Sequence, residues 1–155
     1  MKFLLLDHDG PMVTAQNRNH NKNIWEKPRF DDKNVAVLNH IIRETGCELV
    51  CISDWRHDLT LTEMSALYAE FGVIKSPICY TPSSKNYTGL NLEGGRADEI
   101  NMWVKMHCWK DDTKWVAVDD MNMDQFLFPN FVHCPSDFEG IKQKGIKEQI
   151  IAKLT

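Results

Sequence analysis

Two carboxylates one residue apart, Asp7 and Asp9, follow the apolar run Phe3-Leu4-Leu5-Leu6 and are closed off by Gly10-Pro11. A second acidic pair, Asp119-Asp120, with Asp124 four residues beyond Asp120, follows Trp115-Val116-Ala117-Val118. Between them Ser53-Asp54-Trp55-Arg56 follows Leu49-Val50-Cys51-Ile52. Polar groups at the carboxyl ends of buried strands stand where ligands bind in an open α/β sheet. If the strands are parallel, all three groups share one edge. Acids from the first and fourth strands can then meet on one divalent cation, and a hard ion such as Mg2+ prefers carboxylate oxygens and substrate phosphate. A cation beside an Asp carboxylate suits phosphoryl transfer, because it neutralises phosphate charge while the carboxylate attacks phosphorus. An acid two residues on can protonate the leaving oxygen and then activate water. A hydroxyl such as Ser53 and a cation such as Arg96 or Lys85 would hold the remaining phosphoryl oxygens.

The elements that must position these groups alternate along the chain. Residues 2–6 read as a strand, and 13–32 as a polar, Asn-rich loop. From Asp32 the apolar positions Val35, Leu38, Ile41 and Ile42 recur at helical spacing, with Asp31 or Asp32 as N-cap and Gly46 as the stop. Strand 48–53 follows, then a helix over 60–71 and a strand over 73–80 that Pro77 marks as an edge or a break. Residues 81–95 carry the turn formers of a long loop, of the kind that is often functional. A helix over 97–108, a strand over 114–118, a short strand over 131–133 and a helix over 141–154 complete the series. Strands alternating with helices predict an α/β fold, a mainly parallel sheet with helices on both faces.

The chain has 155 residues, which predicts one domain over 1–155 with a core that needs no staples. A hydrophobic content of 43% and a charged content of 26% are ordinary for a globular protein. No apolar run approaches the roughly 20 residues that cross a bilayer, and the first is too short for a signal peptide, so a cytoplasmic protein with no membrane partner is expected. Cys47, Cys51, Cys79, Cys108 and Cys134 form no CxxC pair and read as small core residues in a reducing compartment. A net charge of −4 gives no general electrostatic case for nucleic acid, although a local basic loop could still bind it. The sequence does not disclose the oligomeric state.

Motifs in this order resemble those of the haloacid dehalogenase-like (HAD) phosphohydrolases: Phe3-Leu4-Leu5-Leu6-Asp7-His8-Asp9-Gly10, Val50-Cys51-Ile52-Ser53, and Val116-Ala117-Val118-Asp119-Asp120 with Asp124. Ser53-Asp54-Trp55-Arg56, Thr81-Pro82 and Arg96-Ala97-Asp98-Glu99-Ile100 with Trp103 bring the chain nearer to the small HAD branch of RNA-repair proteins. The resemblance implies a three-layer α/β/α Rossmann-like fold and an Mg2+-dependent phosphatase. It implies Asp7 as nucleophile, Asp9 as general acid/base with its backbone carbonyl on the metal, and Ser53 on the transferring phosphoryl group. Asp119 and Asp120 would bind or orient Mg2+, and Asp120 with Asp124 fits the family's acid-x-x-x-acid ending, which favours Asp120 as direct ligand. Arg96 fits the third-motif cation by position, with Lys85 and Lys75 as competitors. His8 stands where the family carries an apolar residue, and its bland reading is a side chain turned away from the metal.

Only about 20 polar residues follow the first motif, and one helix and one strand fill the gap after the second, so the cap is minimal. An open site suits a phosphorylated small molecule such as a nucleotide, or a nucleic-acid end. Arg18, Asp54, Arg56 and Lys85 are the candidate substrate contacts. Two other readings exist. A receiver-like signalling domain would accept a phosphoryl group at Asp54 with Thr81 as switch hydroxyl, but would leave Asp119-Asp120 without a role. A catalytically silent HAD-fold binding module would keep the fold without turnover. An EF-hand is excluded, because Arg18 stands where the calcium loop needs its Glu.

Overall fold

A computed structural model describes residues 1–17, 25–83, 92–135 and 138–155. Strands β1 (Lys2–Leu6), β2 (Glu48–Cys51), β3 (Pro77–Tyr80), β4 (Lys114–Asp119) and β5 (Phe131–His133) form a parallel sheet in the order β3-β2-β1-β4-β5. The central strands read as unbroken apolar runs because a parallel sheet is buried on both faces. Leu4, Leu6, Leu49, Cys51, Val116 and Val118 face one core, whereas Phe3, Leu5, Val50, Ala117 and Phe131 face the other. Pro77 opens β3 at the sheet edge, where its missing N–H costs least.

Among the described residues five helices cover the faces: α1 (Asp32–Thr45), α2 (Leu61–Glu70), α3 (Leu92–His107), α4 (Asp124–Leu127) and α5 (Ile146–Leu154). The first core takes Leu38 and Ile41 of α1, Met64 and Leu67 of α2, and Ile150 of α5; the second takes Ala97, Ile100 and Trp103 of α3 and Leu127 of α4. The layers are therefore α/β/α. The side chain of Asp31 accepts the Asn34 N–H at 3.0 Å to start α1, and Gly46 ends it at φ 68°. Thr60 and Glu63 form a reciprocal capping box on α2.

Two helix boundaries differ from the sequence reading. Helix α3 begins at Leu92 rather than 97, because Gly94 and Gly95 sit inside its first turn instead of in the loop. Helix α5 begins at Ile146 rather than 141: a short 3-10 turn occupies Gly140–Lys142, and Gly145 at φ 90° separates the two. Strand order reverses between β1 and β4, since β1 leads to β2 on one side and β4 to β5 on the other. The crevice at such a switch point is where this class of sheet binds ligands. This order also corrects the receiver-like alternative, whose fold follows 2-1-3-4-5.

Candidate active site

Side chains alternate faces along a strand, and that alternation assigns the acids. Leu6 and Val118 lie opposite each other in the first core, so Asp7 and Asp119, one residue on, turn toward the face covered by α3. There Arg96 of α3 meets both, its Nη1 lying 2.9 Å from Asp119 Oδ2 and 3.4 Å from Asp7 Oδ1. Its Nη2 reaches Asp54 Oδ1 at 3.2 Å. One guanidinium thus ties together the ends of β1, β4 and the segment after β2, where planar multidentate bonding distinguishes Arg from Lys.

Asp120 completes the acidic group. Carboxylate oxygens of Asp7, Asp119 and Asp120 lie within 4.8 Å of one another, Asp7 and Asp119 buried and Asp120 exposed. Three converging hard oxygen donors, one open to solvent, fit an ion of the magnesium type that keeps several waters. Asp120 can come this close only because residue 10 is glycine. A Cβ built there would lie 2.7 Å from the Asp120 Cβ, and the φ of +102° itself disfavours a side chain.

The electrostatics are those of an anion-crowded pocket held by one cation. Burial pushes the Asp7 carboxyl from 3.8 up to about 7, with Arg96 opposing and Asp120 adding to the rise. Burial and the neighbouring Asp7 likewise hold Asp119 well above the usual carboxylate range, against the pull of Arg96. Burial works against the Arg96 charge, but Asp119, Asp7 and Asp54 override it and raise its pKa further. Three carboxylates against one guanidinium among the described residues favour a divalent cation as further counter-charge.

Beyond β2 the chain enters a 3-10 turn, Asp54–His57, whose first free N–H, that of Trp55, is accepted by Ser53 Oγ at 3.3 Å. Cys51 pairs with Leu6, so the buried Ser53 lies just past the same sheet edge as Asp7, and its hydroxyl proton has no acceptor among the described residues. Arg56 is corrected by the structure. Its guanidinium is buried and all five N–H groups are engaged, by the carbonyls of Ile52, Ser53, Thr81 and Pro82 and by Glu99 Oε2 at 2.6 Å. It has no donor left for a substrate, and it clamps the Ser53 turn to the Thr81 segment and to α3. Asp54 is exposed at the rim, beside Arg96 and Arg56.

Asp9 is half-buried and stands outside the acidic cluster; its Oδ2 accepts the indole N–H of Trp55 at 3.1 Å. His8 turns to the opposite face from Asp7, as alternation requires, and is fully buried. Its Nε2 makes a 2.6 Å hydrogen bond with the Tyr68 hydroxyl, and its ring packs on Trp55 and Phe30 at 4.7 and 5.1 Å. Burial, with the positive charges of Arg96 and Lys27, lowers its pKa to about 3, so it is a neutral core residue.

Of the remaining candidates, Asp124 starts α4, is exposed and lies outside the cluster. Lys75 is excluded as the phosphate-binding cation: it bonds the Cys47 carbonyl and Glu48 at the start of β2, the far edge of the sheet. Arg18 and Lys85 lie outside the described residues. Sequence reasoning missed Glu99 as the partner of Arg56 and Trp55 as the partner of Asp9. The spacing of Arg96 and Glu99, three apart and hence on one helix face, was the available signal for the first; none existed for the second.

A five-stranded parallel α/β/α sheet that gathers Asp7, Asp119, Asp120 and Arg96 at its switch point has the architecture of a HAD-type domain. Residues 3–144 match the family described as the HAD domain in Swiss Army Knife RNA repair proteins, and the chain belongs to that family, within the HAD phosphohydrolase superfamily. Searches of curated proteins and of solved structures found no match. Among the described residues no helix is long and apolar enough to cross a membrane.

Proposed function

We propose that the protein is a magnesium-dependent phosphomonoester hydrolase acting through an aspartyl-phosphate on Asp7. The observation that carries this reading is Arg96 bridging Asp7 and Asp119 at the β1/β4 switch point, with Asp120 closing the cluster. Asp120 and Asp7, with the Asp9 backbone carbonyl, would hold Mg2+, while Asp119, already bonded to Arg96, orients the pair. When bound, Mg2+ supplies charge neutralisation for the phosphoryl oxygens. An Asp7 oxygen attacks phosphorus as the ester P–O bond breaks, and Asp9 delivers a proton to the departing alkoxide. Asp9, now a carboxylate, takes a proton from water as that water attacks phosphorus, releasing phosphate and restoring Asp7. Ser53 and Arg96 hold the non-reacting phosphoryl oxygens.

The substrate we infer is a nucleotide or a terminal phosphate of a nucleic acid. The short connection from β2 to β3 and the RNA-repair family support it, since an open site accommodates a bulky ester. The test is phosphate release, with Mg2+, from nucleoside monophosphates and from 3′- and 5′-phosphorylated oligonucleotides. Turnover of at least one class well above generic esters is expected; equal or lower turnover on both would overturn the substrate reading.

A further inference from the structure

The Trp55–Asp9 hydrogen bond joins a side chain with almost no freedom to one that the proposed reaction needs aimed. Trp55 is 4% exposed and fixed from several directions. Its backbone N–H is tied to Ser53 Oγ, its carbonyl accepts the N–H groups of Asp58 and Leu59, and its ring packs against His8 and Phe30. His8 is itself pinned by Tyr68 of α2. An indole has one N–H and no acceptor, and a buried one must find an acceptor. Here it is one oxygen of Asp9.

Asp9 has no other hydrogen-bond partner for its carboxylate among the described residues. It follows the strand in a tight turn and is half-exposed. With Trp55 it lines a cleft of about 460 Å³ together with Glu26, Lys27 and Pro28. A carboxyl free to rotate would present its proton in many directions. Anchoring Oδ2 leaves Oδ1 as the oxygen that carries the proton and fixes its direction.

We propose that Trp55 is a positioning residue that orients Asp9 for proton transfer to the leaving group, with the Tyr68–His8 pair as its backing. This inference rests on the hydrolase reading above. It explains why a histidine stands between the two acids: a neutral, polar ring of that size meets the Tyr68 hydroxyl on one side and the indole on another. Trp55 touches no reacting atom, so its effect must follow the demand for the proton. Alkyl phosphates, whose alkoxide leaves poorly, need the proton; 2,4-dinitrophenyl phosphate, whose phenolate leaves readily, does not.

The test compares wild type with Trp55→Phe, which keeps a ring and deletes the donor, on a nucleoside monophosphate and on 2,4-dinitrophenyl phosphate with Mg2+. The expected result is a fall of about ten- to a hundredfold in kcat/KM on the alkyl ester, a part of the roughly 10²–10⁴ that general acid catalysis contributes, with kcat/KM on the dinitrophenyl ester changed by less than about threefold, since kcat/KM reports the phosphorylation step and not the later hydrolysis that both esters share. In an Asp9→Asn background the substitution should add no further discrimination between the two esters. Equal losses of kcat/KM on both esters, or none on either, would overturn the proposal. If Trp55→Phe does not fold, the indole N–H resonance of Trp55 decides: Asp9→Ala should shift it and speed its exchange with water, and an unmoved resonance refutes the bond. A wild-type protein inactive on both esters would instead overturn the hydrolase reading itself, while the resonance would still report on the bond.

Discussion

At Asp7, burial favours the protonated acid and Arg96 favours the carboxylate. Attack on phosphorus needs the carboxylate, so Asp7→Asn should lower kcat by on the order of 10³-fold or more with the fold retained, measured as phosphate release beside a circular dichroism spectrum. Gly10 is the second decisive residue. Gly10→Ala would drive a methyl group into Asp120 and strain a φ of +102°, at a cost of about 1–3 kcal/mol. Because the clash falls on the exposed member of the acidic cluster, the magnesium concentration giving half-maximal activity should rise along with the loss of stability, as a magnesium titration would show. Unchanged magnesium dependence would mean that Asp120 is not a ligand. The acids at 7 and 119 were legible because each ends an apolar run. The burial of Arg56 was not, since an Arg that spends all five donors on carbonyls and one Glu looks in sequence like a surface cation.

Among the elements, the alternation of strands and helices was readable because both-face burial writes itself as apolar runs, and the capping residues Asp31, Thr60 and Gly46 set two helices nearly to the residue. What escaped was glycine used inside an element. Gly94 and Gly95 look like loop yet lie in the first turn of α3, and Gly145 interrupts what reads as one long C-terminal helix. The start of α3 matters because that helix carries Arg96 into the site and Glu99 against Arg56. Glu99→Ala would leave a buried guanidinium without its closest counter-charge among the described residues, since the nearby Asp54 is exposed and 3.6 Å away. Loss of about 3 kcal/mol, at the low end for breaking a buried pair because four carbonyl contacts survive, is the expected outcome in urea denaturation. Catalysis should fall too, because α3 and the Ser53 turn lose their clamp.

For the whole molecule, buried groups give opposing dependences on pH, His8 on one side and Asp7 and Asp119 on the other. His8 is neutral in the fold down to about 3 but takes a proton near 6.5 when unfolded. The unfolded chain therefore binds more protons between those values, and stability falls as pH drops through 6.5, by up to about 1.4 kcal/mol per pH unit. Asp7 runs the other way. Its folded value is raised from 3.8 to about 7, so its contribution is fullest below 3.8 and is lost as pH rises through 7. Metal-free Asp7→Asn should thus be more stable than wild type at pH 8 and lose stability more steeply between pH 6.5 and 4.5, which urea midpoints across pH would check. Mg2+ at about a hundred times its dissociation constant should add about 2.7 kcal/mol to the wild type at pH 8 and much less to Asp120→Asn.

The most direct test is to quench the wild-type protein with acid during turnover of a nucleoside monophosphate or a phosphorylated oligonucleotide in Mg2+, and to map its peptides by mass spectrometry. One phosphoryl group on Asp7, released by hydroxylamine and missing from Asp7→Asn, is the predicted result. Rapid turnover with Asp7 never phosphorylated, or with the label on Asp54, would contradict it.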